Sequence, residues 1–248
     1  MSSFLEEFEI HSLSAPLLTL GGHTVSFTNS ALFMILAVCM ASLLMILAMR
    51  PRAVVPGRWQ MVAEKLYDLV ADIMHSAAGE KARPFFPFIF TIFIFILFCN
   101  LFGMFPWGFA VTSQIIVNFA IALTLFAIII ITGFVRHGFH FLSLFLPAGL
   151  PKVMVLPMIV IEAFSFAVRP FSLSIRLFAN MLAGHILLQV FATLVGTLLA
   201  AGWLAGLSVL PMLADLAITA FEFFVAFLQA YIYAMLAAVY LRDAVELH

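Results

Sequence analysis

Residues 153–200 read VMVLPMIVIEAFSFAVRPFSLSIRLFANMLAGHILLQVFATLVGTLLA, and residues 210–241 read LPMLADLAITAFEFFVAFLQAYIYAMLAAVYL. Both stretches are far longer than a core strand and almost free of surface-type residues, so each reads as a membrane-crossing helix. Both also carry polar groups that a bilayer should exclude. Glu162, Arg169 and Arg176 are spaced by seven with Asn180 one turn beyond, so the four share one helical face with a slow drift. Asp215, Glu222 and Gln229 repeat that spacing, and Tyr233 lies one turn on. Pro170 is expected to bend its helix without ending it. As continuous helices the two stretches would run roughly 70 Å and 45 Å, against a hydrocarbon core of about 30 Å. They are therefore expected to form a long, steeply tilted hairpin packed diagonally along something else in the membrane. Ala179, Ala183 and Gly184, beside the polar stripe, would let another helix approach closely.

The rest of the chain agrees with a membrane setting. Of 248 residues, 65% are hydrophobic and only 9% charged, and a mean hydropathy of +1.21 rules out a soluble fold. The apolar runs are uninterrupted, so an alternating transmembrane β-barrel is excluded too. The expected class is an all-α integral membrane protein with five crossings: 31–49, 85–106, 115–135, 153–200 and 210–241. Residues 1–30 read as an external segment, and the whole as a single membrane domain, 1–248. Between the first two crossings, 59–79 places Val62, Leu66, Leu69, Val70 and Ile73 at helical spacing with Glu64, Asp68, Asp72 and His75 opposite. That is an amphipathic helix lying on the membrane surface, with Gly79 as its cap. The N-terminus is acidic where a signal peptide is basic, so the first apolar run is expected to stay in the mature protein.

Charge distribution orients the spans. Arg50, Arg52, Arg58, Lys65, Lys81 and Arg83 fall between crossings one and two, Arg136 and Lys152 between three and four, and Arg242 after the last. The segment before Ala31 and the turns at 108–114 and 200–211 hold no Lys or Arg. The positive-inside rule then puts the N-terminus outside and the C-terminus inside. A net charge of -1 offers no basic field for nucleic acid. Cys39 and Cys99, far apart in apolar runs, suggest neither a disulfide framework nor a metal site, and the two histidines of HGFH (His137, His140) are too few to hold one.

Arginine at membrane depth costs at least ~2.5 kcal/mol on insertion scales, which marks a functional path by default. On the orientation above, Glu162 lies toward the cytoplasmic side and Asp215, Glu222 and His185 toward the external side. Arg176, which cannot deprotonate at physiological pH, falls between the two groups. The alternative reading makes Arg176 half of a buried ion pair with Glu162 or Glu222. Arg169 is also open to a snorkelling or anchoring role, Asn118, Asn180 and Gln229 to interhelical hydrogen bonding, and Asp215 to a place in a helix's first turn.

Pro170, Ser172, Leu173, Arg176, Leu177 and Asn180, in RPFSLSIRLFANMLAGH, closely resemble the Pro-x-Ser-Leu-x-x-Arg-Leu-x-x-Asn pattern of subunit a of F-type ATP synthases. GGHTVSFTNS, QIIVNFAIAL and LQAYIYAMLAAVYL also look like that family, so the resemblance covers nearly the whole chain. It departs mildly at Ala179, where the family often has glycine. The resemblance implies that Arg176 faces the proton-binding carboxylates of a rotating c-ring, with Asn180 and Gln229 as polar companions. It makes Glu162 a carboxylate of the cytoplasmic half-channel. His185 and Glu222 match a carboxylate and imidazole pair exchanged relative to some bacterial relatives, as in mitochondrial-type members. The implied function is a non-catalytic, proton-translocating stator subunit without cofactors. Its implied partners are the c-ring, the peripheral-stalk subunit b, the remaining ATP synthase subunits and the lipid bilayer. The implied place is a bacterial inner membrane, with the mitochondrial inner membrane as alternative. Protons are favoured over sodium because no dense oxygen-ligand cluster is present. The rival is a self-contained secondary transporter or channel, but internal repeats and broken helices are not evident.

Overall fold

The computed structural model describes residues 10–13, 18–20, 23–50, 56–105, 108–145, 152–203 and 205–245. Among the described residues six α-helices carry the fold: α1 Asn29–Met49, α2 Arg58–Ile73, α3 Phe86–Gly103, α4 Ile115–His137, α5 Lys152–Ala200 and α6 Val209–Val245. Five helical segments among the described residues are long and apolar enough to cross a membrane: Asn29–Met49, Glu80–Gly103, Ile115–Leu142, Met154–Ala200 and Ala205–Val245.

Local chemistry sets the ends. The Thr28 hydroxyl accepts a hydrogen bond from the Ala31 N–H (3.3 Å), capping α1. α2 does not run straight to the next span. It passes into a π turn, Met74–Ala78, which ends at Gly79 with φ 74° and the Gly79 N–H on the Met74 carbonyl (3.1 Å). The chain restarts as a 3-10 turn, Glu80–Phe85, before α3. The positive φ there is a conformation that glycine adopts without a Cβ clash. Pro157 and Pro170 both lie inside α5, and neither ends it.

The all-helical expectation holds for the fold class, and one small element stands outside it. Leu18–Leu20 and His23–Val25 pair antiparallel, Leu18 opposite Val25 and Leu20 opposite His23. Two short runs with β-branched residues flanking Gly21 and Gly22 carry a hairpin signal that the search for apolar spans passed over.

Contacts group the chain into two compact units. The first comprises Met1–Ser42, Phe95–Gln114 and Leu177–Gln229, and the second Leu43–Ile94, Ile115–Arg176 and Ala230–His248. In the first, Ile96, Cys99, Leu177, Met181 and Ala226 are buried together with Asn100 and Glu222. In the second, Val70, Ile89, Phe93, Leu125, Phe126 and Ile129 are buried, and α6 contributes Ala230, Tyr233, Ala234, Ala237 and Leu241. The alanines allow close helix approach where no water drives packing. In the most apolar window of α5 0% of residues are buried. That surface must be covered by lipid or by another protein.

Candidate functional site

Within the first unit, α6 presents Glu222, only 4% exposed, with neither carboxylate oxygen hydrogen-bonded to a described residue. It fits because residue 184 is glycine. A Cβ there would stand 2.5 Å from Glu222 Oε1 and 3.0 Å from its carboxyl carbon. This agrees with the expectation that Gly184 lets another helix approach closely, and the approaching helix is α6 of the same protein. His185 follows directly, and a Cβ on Gly103 would lie 3.5 Å from its Nε2. Glycines on α3 and α5 thus leave room for an acid and an imidazole at neighbouring positions.

A cavity of about 340 Å³ adjoins His185, lined also by Gly103, Gln189, Asp215 and Thr219 among others. Asp215 Oδ1 has no hydrogen bond among the described residues, and the Thr219 hydroxyl donates to the Asp215 backbone carbonyl (2.9 Å). Sequence reasoning missed Asn100. Fully buried on α3, it donates from Nδ2 to the Ala226 carbonyl (3.1 Å), one turn beyond Glu222. The signal was available, since an asparagine inside the apolar run of α3 needs a partner. Asn180 is half-buried and Gln229 buried in the same unit.

The second unit holds a different polar group. Arg169 lies 3.6 Å from Glu162 Oε1 and 3.6 Å from Asp243 Oδ2. Its guanidinium carbon stands 4.8 Å from the centre of the Tyr240 ring and 5.4 Å from that of Phe166. Phe126 braces both rings, with centroids 5.3 Å from Tyr240 and 5.4 Å from Phe166. The Arg169 site is therefore a fixed cation between two carboxylates and two ring faces, neither of which a free snorkelling side chain would need. Asp243 was not anticipated, because it comes from the far end of α6. Tyr233 is fully buried, its hydroxyl without a hydrogen bond among the described residues. Asn118 is fully buried too.

Arg176 differs from all of these. It is exposed and forms no ion pair among the described residues. The buried ion pair with Glu162 is thus not formed, because Glu162 is taken by Arg169. Ser172, Ala179 and Ala183 are exposed with it at helical spacing, so the guanidinium stands on a strip of small side chains. On α5 it comes 14 residues after Glu162 and nine before His185 in the sequence. Two groups able to take and release protons are thus spaced along one helix with a permanent cation between them.

Residues 31–242 match the family described as ATP synthase A chain. The chain belongs to that family. Among its relatives, the ATP synthase subunit a of Agrobacterium fabrum is 50% identical over 228 residues, covering 92% of each chain. That of Mesorhizobium japonicum is 47% identical, covering 96% of this chain and 95% of its own. That of a Methylobacterium species is 48% identical, covering 98% and 96%. This ATP synthase A chain family member is a multi-pass membrane protein, with its apolar helices as the spans.

Proposed function

We propose that this chain is the non-catalytic stator subunit of the membrane sector of an F-type ATP synthase, providing two proton half-channels to and from the carboxylates of a c-ring. The observation that carries the reading is Arg176, an exposed guanidinium without an ion pair among the described residues, on a strip where Ala179 and Ala183 leave room for a facing helix. Membership of the ATP synthase A chain family supports it. Nothing favours a self-contained transporter.

Protons enter from outside past Asp215, Glu222 and His185 and neutralise a ring carboxylate, which then moves through the lipid as the ring turns. After nearly a full turn they leave on the Glu162 side. Tyr233 and Gln229, on α6, and Asn180, on α5, serve that path. Arg176 favours the ionised carboxylate as it passes and opposes a direct proton hop between the half-channels. The arginine and lysine distribution supports an external N-terminus and a cytoplasmic C-terminus, and the bacterial relatives support a bacterial inner membrane. In this reading α2 lies at the interface, α5 and α6 form a steeply tilted hairpin along the ring, and subunit b and the other synthase subunits complete the assembly.

Cysteines placed at Ala179 and Ala183 test the face. Each should crosslink to a cysteine beside the carboxylate on the ring's outer helix. Failure at both, with crosslinking from α3 or α4 instead, would contradict the proposal.

A further inference from the structure

The second unit holds a cavity of about 590 Å³ where α2 gives way to α3, and the proton path makes no use of it. Its lining includes Tyr67, Asp72, His75, Glu80, Arg83 and Phe86. Asp72, Glu80 and Arg83 form no ion pair among the described residues, with one another or with anything else. Opposite charges that face one cavity without meeting leave room for a ligand that itself carries both signs. The Tyr67 and Phe86 rings lie 4.7 Å apart at 58°, and their faces suit an ammonium group. The backbone at this place is irregular: a π turn, then Gly79 with open space around its Cα, then a 3-10 turn. Such interruptions recur at functional sites.

Position and size narrow the ligand. The cavity stands at the first residues of the span Glu80–Gly103, beside the amphipathic α2, which is the level of lipid headgroups. Its volume falls in the range of small-molecule pockets, about 300 to 1,000 Å³, far more than one ion needs. Two carboxylates against one guanidinium disfavour a purely anionic lipid. We infer that this cavity binds the headgroup of a zwitterionic phospholipid. The phosphate takes the Arg83 guanidinium, with His75 beside it, and the amine lies against Asp72, Glu80 and the two ring faces. The bound lipid would fill the junction between α2 and its span.

The test uses the full-length protein in vesicles of equal phosphatidylcholine and phosphatidylglycerol, with a trace of either lipid carrying a photoreactive group near its head. Peptides within 67–87 should be labelled about tenfold more by the phosphatidylcholine probe than by the phosphatidylglycerol probe. The residues of 138–145 should show no such preference. The double variant Glu80→Gln with Arg83→Gln should lose that preference while labelling of 138–145 is unchanged. Equal labelling by the two probes in the wild type would overturn the inference without any variant. So would stronger labelling by phosphatidylglycerol, or a preference that survives the double variant. Protection of 67–87 from both probes in the intact complex, relieved when protein partners are removed, would assign the cavity to a protein instead.

Discussion

Glu222 keeps its carboxylate where it is because position 184 has no side chain, and that dependence is open to direct measurement. Gly184→Val would drive a branched side chain into the carboxylate, and a misplacement near 1 Å in a proton-transfer group costs roughly a hundredfold in rate. Proton flux through vesicles should fall by about that much, while assembly, read by copurification of the complex, persists. Unchanged flux would show that Glu222 is not where protons pass. His185 and Glu222 form one relay in this account, and what matters is that an acid and an imidazole coexist there, since either can hand on a proton near neutral pH. Glu222→Gln or His185→Ala should each slow translocation, and the exchange His185→Glu with Glu222→His should recover a substantial part. Coupled sites are non-additive, so effects that merely add would separate the two. At this scale the sequence was informative about which residues matter and silent about their partners. Spacing by seven put Glu162 and Arg169 on one face, and they do pair. It could not find Asp243, 74 residues beyond Arg169, nor reveal that the side chain lying against Gly184 is that of Glu222.

Helices were legible wherever an apolar run ended at charges or prolines, because a bilayer leaves the backbone few other choices. Their rotation was not, since α1 and α3 are apolar nearly all round and carry no phase of their own. Phase comes from isolated polar residues and glycines. Asn100 ties α3 to the α6 backbone, so Asn100→Leu should loosen the two by about 0.6 to 1.5 kcal/mol, the usual range for such a bond. Titration with a denaturing detergent measures it, and a midpoint unmoved from wild type would mean that the bond holds nothing. Gly133 plays a comparable part on α4, where a Cβ would run into the Phe141 ring. Gly133→Leu should lift the 3-10 turn Gly138–Phe145 off α4 and expose it to protease. Resistance equal to wild type would contradict that packing. The β-hairpin escaped because the reading followed hydropathy, to which three-residue strands contribute little.

At the scale of the whole molecule, composition alone placed the protein in a membrane, and one arginine within an apolar helix pointed to its work. What no single chain can contain is the facing surface. In the proposed assembly Arg176 and the bare face of α5 meet a partner, so that the half-channels end in this protein and resume in another. The claim that Arg176 separates two proton paths is tested most directly by ATP-driven quenching of a pH-sensitive dye in vesicles carrying Arg176→Ala. The account predicts that quenching is abolished while the soluble head still hydrolyses ATP, and that Arg176→Lys fails as well, because an ammonium lacks the guanidinium's reach and planar fork. Quenching at the wild-type rate in Arg176→Ala vesicles would contradict it.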